Sequence, residues 1–110
     1  MKTMPNYHDV FCQRLKQARV AKGLSQKKLG IAAGIDEFVA STRINRYEKG
    51  VHEASTETAQ RLADVLGVPL AYVYTADNAL AEMMLVFMTL SVEQRSSVVL
   101  IMKNQLAQRN

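Results

Sequence analysis

Side chains able to bind a polyanion are concentrated between residues 41 and 46 of this 110-residue chain. Arginine, serine and threonine there can donate hydrogen bonds to phosphates or to the edges of bases. In a helix, Ile44 and Tyr47 would share one side and leave the polar side chains facing outward. Such a helix fits the major groove of DNA, although a solvated basic face on an ordinary helical hairpin has the same pattern. The outward residues are Ser41, Thr42, Arg43 and Arg46.

Two short helices joined by a glycine turn are predicted to position these side chains. Ser25 can accept a hydrogen bond from a free N–H of the first turn, so it is a suitable N-cap for the first helix. Gly34 follows that helix, where the chain must reverse through a conformation that glycine adopts at little cost. Helical spacing predicts the inward side chains of this hairpin: Leu29, Ala32, Ala33, Ile35, Ile44 and Tyr47.

A larger set of spaced motifs surrounds the hairpin. Its members are Arg14-Leu15, Arg19, Lys22–Gln26, Leu29, Ala33-Gly34, Ile44, Arg46–Gly50 and Thr58–Pro69. With these motifs the chain resembles, from about Phe11 to Tyr74, the XRE family of helix-turn-helix regulators, to which phage lambda-type repressors and Cro belong. The resemblance covers roughly two thirds of the chain, and a chance match to so many spaced positions is not expected.

The resemblance implies a role for each matching residue. Gln26, at the start of the second helix, corresponds to a glutamine that binds a DNA phosphate and braces the recognition helix. Arg19 and Glu48 correspond to a pair that ties the first helix to the end of the third, and we expect them to form a largely buried ion pair. The recognition helix would read base edges or nearby phosphates. The predicted DNA-binding set is Gln26, Lys27, Lys28, Ser41, Thr42, Arg43, Asn45 and Arg46.

The chain departs from the family pattern between the turn glycine and the recognition helix. Gly34 lies fourteen residues before Glu48, whereas about ten are usual in the family. The extra residues are 36–39, and they include two carboxylates that phosphates would repel. The segment is therefore expected to bulge away from the duplex or to add a turn before the recognition helix. The departure affects Ser41 and Thr42 as base readers more than Arg46.

The remaining pattern predicts an all-α protein. A first helix is expected near Tyr7–Lys22, a fourth over Thr56–Leu66 with Ser55 as its cap, and a short fifth from Pro69 to Tyr74. Together with the hairpin they would form a five-helix lambda-repressor-like DNA-binding domain, residues 1–76. A C-terminal two-helix hairpin would occupy residues 77–110.

The C-terminal hairpin is expected to hold two copies of the chain together. Ser91 and Gln94 form a capping box that opens its last helix. The helix before this capping box and the helix after it are both apolar around nearly their whole circumference. Each must therefore be buried on more than one face. A second copy of the hairpin would achieve this; alternatively both helices pack onto their own domain, or the methionines bind another protein. The predicted dimer interface is Leu80, Met84, Phe87, Met88, Val98, Ile101 and Met102.

Charge is distributed unevenly along the chain. Residues 1–50 contain ten Lys+Arg and four Asp+Glu, whereas residues 51–110 contain four and six, within a net charge of +4. A basic front half and a mildly acidic rear half indicate that one end contacts a polyanion and the other has a different role.

Several function classes are disfavoured by the sequence. No glycine-rich phosphate loop or nucleophile–base pair suggests an enzyme, and neither a cofactor nor a small-molecule ligand is expected. Cys12 is the single cysteine, which excludes an internal disulfide and fits a reducing cytoplasm. His8 and Cys12 are too few ligands for a metal site. The longest apolar run, 83–88, is far too short to span a bilayer, and no secretory leader is evident.

The preferred hypothesis is a transcriptional regulator that binds double-stranded DNA in the major groove. It would act as a repressor in the cytoplasm of a bacterium or phage-infected cell, at the nucleoid, by occupying a palindromic operator as a homodimer. One alternative is an antitoxin-type protein that also binds DNA and neutralises a partner through its Met-rich C-terminal surface. Another is a helical adaptor that has lost DNA reading.

Overall fold

The computed structural model describes residues 4–109, in which all regular structure is helical and no strand occurs. The all-α prediction is therefore confirmed, with the first and fourth helices at their predicted bounds. The predicted domain ranges also include residues 1–3 and 110, which lie outside the described part. The elements are α1 (Tyr7–Lys22), α2 (Gln26–Ala32), α3 (Ala40–Lys49), α4 (Thr56–Leu66), a 3₁₀ helix (Leu70–Tyr74), α5 (Asn78–Phe87) and α6 (Val92–Ala107).

The fifth segment differs from the prediction. It is a 3₁₀ helix rather than an α-helix, and Pro69 precedes it in an extended conformation with φ −64° and ψ 148°. The Tyr72 N–H donates to the Pro69 carbonyl over 3.0 Å, which is an i to i−3 bond. Short segments of this length commonly adopt the 3₁₀ form. The tighter turn still buries Tyr72 and Val73 in the core.

The elements from α1 to the 3₁₀ helix form one unit with a common core, called the first unit below. Each of these five elements contributes one large, fully buried aliphatic side chain to the core. These side chains are Leu15, Leu29, Ile44, Leu62 and Val73. The inward positions predicted for the hairpin are buried, with the exception of Ala32, which is exposed. Ala32 is the last residue of α2, where the chain begins to turn, and the buried side follows the i, i+4 spacing of Leu29 and Ala33.

Arg14 connects the first unit to α5, a role that the sequence did not suggest. Although charged, it is buried, with about 8% of its surface exposed. Its guanidinium donates to the carbonyl oxygens of Thr75 and Ala76 over 2.8 and 3.1 Å and to Asn78 Oδ1 over 3.0 Å. Several charge-assisted bonds compensate for the lost hydration. The segment leading into α5 is thereby fixed against α1.

The two C-terminal helices differ in their attachment. In α5, Ala81 is buried in the core of the first unit and Met84 packs partly against it. No residue of α6 is buried. The predicted capping box at Ser91 and Gln94 is present and begins this helix. We therefore describe α5 as partly integrated into the first unit and α6 as a projecting helix.

Candidate nucleic-acid interface

The close crossing of α2 and α3 sets the direction of the candidate recognition helix. Gly30 lies on the inner side of α2 against Ala40, the first residue of α3. A Cβ added at Gly30 would lie 2.8 Å from the Ala40 Cβ and 3.1 Å from its Cα and carbonyl oxygen. The crossing thus requires a residue without a side chain at position 30.

Gly30→Ala is accordingly expected to destabilise the protein. The new methyl would displace backbone atoms of Ala40, and this overlap should outweigh the roughly 1 kcal/mol that alanine gains over glycine in a helix. We expect a net loss of about 1–2 kcal/mol in urea unfolding. Lys28→Ala, on the exposed side of the same helix, is the control and should change stability by less than about 0.5 kcal/mol. A stability equal to wild type would contradict the close crossing.

The extra residues 36–39 add a turn before α3, which was one of the two predicted outcomes. The Val39 N–H donates to the Asp36 carbonyl over 3.1 Å, and the Phe38 N–H donates to Asp36 Oδ1 over 2.9 Å. The Arg43 N–H then donates to the Val39 carbonyl over 2.9 Å, so that the helical bonding of α3 continues directly from the turn. The insertion therefore forms a turn that leads directly into the recognition helix.

The C-terminal end of α3 is held by a buried ion pair between Arg19 and Glu48. Arg19 Nε and Nη2 lie 2.6 and 3.0 Å from the two carboxylate oxygens of Glu48, which is a bidentate geometry. The side chains are only 13% and 4% exposed. Arg19 Nη1 also donates to the Leu24 carbonyl over 2.9 Å, at the start of the hairpin. One arginine thus links α1, the chain before α2, and α3.

Gln26 completes this bracing network. Its Nε2 group donates to Glu48 Oε1 over 3.1 Å and to Asn45 Oδ1 over 3.2 Å. Both N–H bonds of the amide are therefore used within the protein. In this conformation Gln26 braces α3, as the resemblance implied, and has no side-chain N–H left for a DNA phosphate. Gln26 and Asn45 are half-buried, in contrast to the rest of the predicted binding set.

The exposed members of the set form the candidate DNA-binding surface. Arg43 lies along α3, where Nη2 donates to the Tyr47 hydroxyl over 2.9 Å and the guanidinium stacks over its ring. Arg46 is exposed, and its guanidinium has no hydrogen-bond or ion-pair partner among residues 4–109. A free guanidinium on an otherwise fixed helix can bind a guanine edge or a phosphate. The exposed members are Lys27, Lys28, Ser41, Thr42, Arg43 and Arg46.

Comparison with known proteins identifies this arrangement. A helix-turn-helix family profile matches residues 15–73, which is more than half of the chain. The chain belongs to the XRE family of helix-turn-helix regulators. The crystal structure of the transcriptional regulator BswR superposes with a TM-score of 0.85 at 40% sequence identity, covering 90% of this chain and 98% of that one. The likeness therefore extends beyond the helix-turn-helix unit.

Curated relatives of this XRE-family chain are found in two rhizobia. Proteins of Sinorhizobium medicae and Rhizobium meliloti, both described as HTH-type transcriptional regulators, are each 31% identical over 74 residues. The match covers 66% of this chain and 50% of each relative. The chain thus spans about half the length of these relatives.

His8 fixes the end of α3 in a way that the sequence did not reveal. Its Nε2 lies 2.8 Å from the carbonyl oxygen of Gly50, the left-handed residue that ends α3. Cys12 lies beside this contact, and burial, with a smaller effect from Asp9, raises the pKa of its thiol. Among the described residues no group of three possible metal ligands occurs. His8 is therefore best described as an anchor between α1 and α3.

Phe38 is the second residue that the sequence interpretation missed. It lies in the inserted turn directly before α3 and is 88% exposed. The available signal was an aromatic residue inside a polar turn that adjoins the recognition helix.

In the described part of the chain, no helix is long and apolar enough to cross a bilayer.

Proposed function

We propose that this XRE-family chain is a sequence-specific DNA-binding transcriptional regulator that inserts α3 into the major groove. The observation that carries the proposal is a basic, outward-facing helix fixed at both ends. Gly30 and Ala40 hold its start, and the bidentate contact of Arg19 with Glu48 holds its end. A rigidly placed helix is what base reading requires, because hydrogen bonds to base edges depend on orientation.

We further propose that the regulator binds as a homodimer joined through α5 and α6. A stable interface uses roughly 20–30 residues a side, and these helices supply 10 and 16. Large apolar side chains surround α6 and remain exposed: Val92, Val99, Leu100, Ile101, Met102 and Leu106. Of the residues predicted for the interface, Leu80, Met88, Ile101 and Met102 are exposed, Phe87 and Val98 are half-exposed, and Met84 packs partly on its own core.

An apolar groove between α5 and α6 favours a second copy as the occupant. The groove is open to solvent and has a volume of about 360 Å³. A two-fold axis would let α6 of each copy cover the groove of the other, so that both apolar sides of α6 are buried. The groove is lined chiefly by Ala79, Met83, Val86, Phe87, Leu90 and Val98.

We propose that the dimer represses transcription by occupying its operator. Two recognition helices related by a two-fold axis read half-sites about 34 Å apart on one face of the duplex. A protein bound there blocks access of other proteins to the same DNA. The acting form is proposed to be cytoplasmic and associated with the nucleoid.

A second candidate function is supported by the methionines of the same surface. Met83, Met88 and Met102 are exposed, and flexible thioethers suit binding to varied partners. An antitoxin-type regulator would use this surface to bind a different protein. Sedimentation decides between the two, because a chain that dimerises through α5 and α6 has no such surface free.

The direct test of the proposed function is selection of duplexes from a random pool by the full-length chain. We expect enrichment of a palindrome and a gel shift that a scrambled duplex does not reproduce. If repeated selection enriches no sequence, the assignment as a sequence-specific regulator is wrong.

Arg46→Ala tests base reading by α3. If Arg46 contacts a base edge, its loss should weaken binding to the selected duplex by about 1–3 kcal/mol and relax selection at one base pair. Lys28→Ala is the matched control for a phosphate contact. It should weaken specific and scrambled binding alike and reduce the slope of log K against log salt by about one. Equal losses on both duplexes for Arg46→Ala would make Arg46 a phosphate contact.

A further inference from the structure

Phe38 is exposed beyond what packing or folding explains. At 88% exposure it is the most exposed large apolar side chain in the described part of the chain. Its neighbours Asp36 and Glu37 are polar and exposed, and Val39 on its other side is 44% exposed, so the apolar surface of the turn is confined to Phe38 and Val39. The ring stabilises nothing in the isolated chain, and a contact outside it is the natural reason for its position.

The backbone that carries Phe38 is firmly placed. The Asp36 carboxylate accepts the Phe38 N–H, and the Asp36 carbonyl accepts the Val39 N–H. The turn then continues into α3, whose start is fixed by the close approach of Ala40 to Gly30. The ring therefore keeps a defined position relative to the recognition helix and does not hang on a free loop.

That position lies at the reading end of the helix. Recognition helices contact base edges with their N-terminal residues, and Phe38 lies two residues before Ala40, the first residue of α3, with the N-cap Val39 between them. It precedes Ser41 by three residues and Thr42 by four, in a turn whose hydrogen bonds lead directly into α3. Both hydroxyl residues are exposed. Phe38 thus adjoins the N-terminal end of the predicted reading surface.

The chemistry of the ring selects its target. Phenylalanine has no hydrogen-bond donor or acceptor, and the apolar group that base pairs present in the major groove is the 5-methyl group of thymine. The Asp36 carboxylate accepts the Phe38 N–H within the turn. We propose that Phe38 is a specificity-determining residue that packs against a thymine methyl group beside the bases read by α3. This inference rests on the proposed function.

Thymine replacement in the selected duplex tests the contact directly. Each dT of one half-site is replaced in turn by dU, which removes only the methyl group. For the wild-type chain, we expect one position at which the replacement weakens binding by about four-fold, the effect of one methyl group removed from burial. Phe38→Ala should weaken binding to the unmodified duplex, and the loss for each half-site should be similar to the loss caused by dU in that half-site. In that variant, dU at the same position should have no further effect.

Three controls keep the outcome interpretable. Val51→Ala removes an exposed apolar side chain beyond the opposite end of α3 and should leave the dU effect intact. Thermal melting should show that Phe38→Ala folds as wild type, because the ring is not in the core. Phe38→Leu, which keeps an apolar side chain, should retain part of the dU effect.

The inference fails in a way distinct from failure of the proposed function. If the chain selects a duplex but every dT tolerates dU equally in wild type and Phe38→Ala, the chain is a sequence-specific regulator and Phe38 reads no methyl group. Loss of self-association in Phe38→Ala with an unchanged dU profile also overturns the inference and assigns the ring to a protein contact. If no duplex is selected at all, the proposed function itself is wrong.

Discussion

Glu48→Ala is expected to lower the free energy of unfolding by about 3–5 kcal/mol, because it leaves the buried Arg19 guanidinium without its counter-charge. Gln26 would lose an acceptor in the same step. At this chain length, each kcal/mol corresponds to roughly 4–8 °C in Tm, so the melting curve should shift by more than 10 °C. The measurement is urea unfolding followed by circular dichroism, together with a thermal melt.

The matched control is the exposed pair of Glu57 and Arg61 on α4. Its N–O distance is also 2.6 Å, but its side chains are 76% and 54% exposed. Solvent screens such a pair, so Glu57→Ala should cost no more than about 0.5 kcal/mol. The double replacement Arg19→Met with Glu48→Leu should cost less than Glu48→Ala alone, since no charge remains unpaired. Equal effects of Glu48→Ala and Glu57→Ala would contradict a supporting role for the buried pair.

Features set by local interactions could be read from the sequence. The caps Ser25, Ser55 and Ser91 each accept a backbone N–H of the helix that they begin, and those helices start where predicted. Gly34, the predicted turn glycine, has a positive φ of 90°. Such signals involve residues within one turn of one another, so a single sequence contains all the information they need.

Features that depend on tertiary contacts could not be read in this way. The buried position of Arg14 requires carbonyl groups more than sixty residues away along the chain. The exposure of Ala32 depends on where α2 ends relative to α4 and the turn, and the 3₁₀ form of 70–74 depends on how that segment packs on α1. Periodicity identifies a helical face but not the partner that covers it.

The candidate site was predicted through family resemblance more than through physical pattern. The residues on both sides of the turn match the family, so the bracing roles of Gln26, Arg19 and Glu48 could be predicted from the sequence. The inserted turn has no counterpart in that pattern. The family pattern therefore gave no indication of a role for Phe38. The path of residues 36–39 is defined by hydrogen bonds that only the folded chain reveals.

Ile101→Glu is expected to abolish dimerisation and, with it, tight DNA binding. Ile101 is 59% exposed on α6, within the apolar segment that we propose to be covered by a second copy. A buried, unpaired carboxylate would oppose that interface strongly. A monomer engages one half-site without the second contact, so affinity for the palindrome should fall by about 10²–10⁴-fold. Sedimentation gives the oligomeric state, and gel shifts on the palindrome and on an isolated half-site give the affinities.

The choice of variants follows from how the two C-terminal helices are attached. Removing residues 77–110 would also remove Ala81 and Asn78, which the first unit uses for packing and for binding Arg14. Removing residues 91–110 takes away α6 alone and should give a folded monomer. Gln108→Glu adds the same charge just beyond α6, at an exposed polar position, and should remain dimeric. A dimer is expected because a regulator that reads one half-site recognises too few base pairs to find a single operator among the competing sites of a genome. A wild-type chain that sediments as a monomer at tens of micromolar would contradict this proposal.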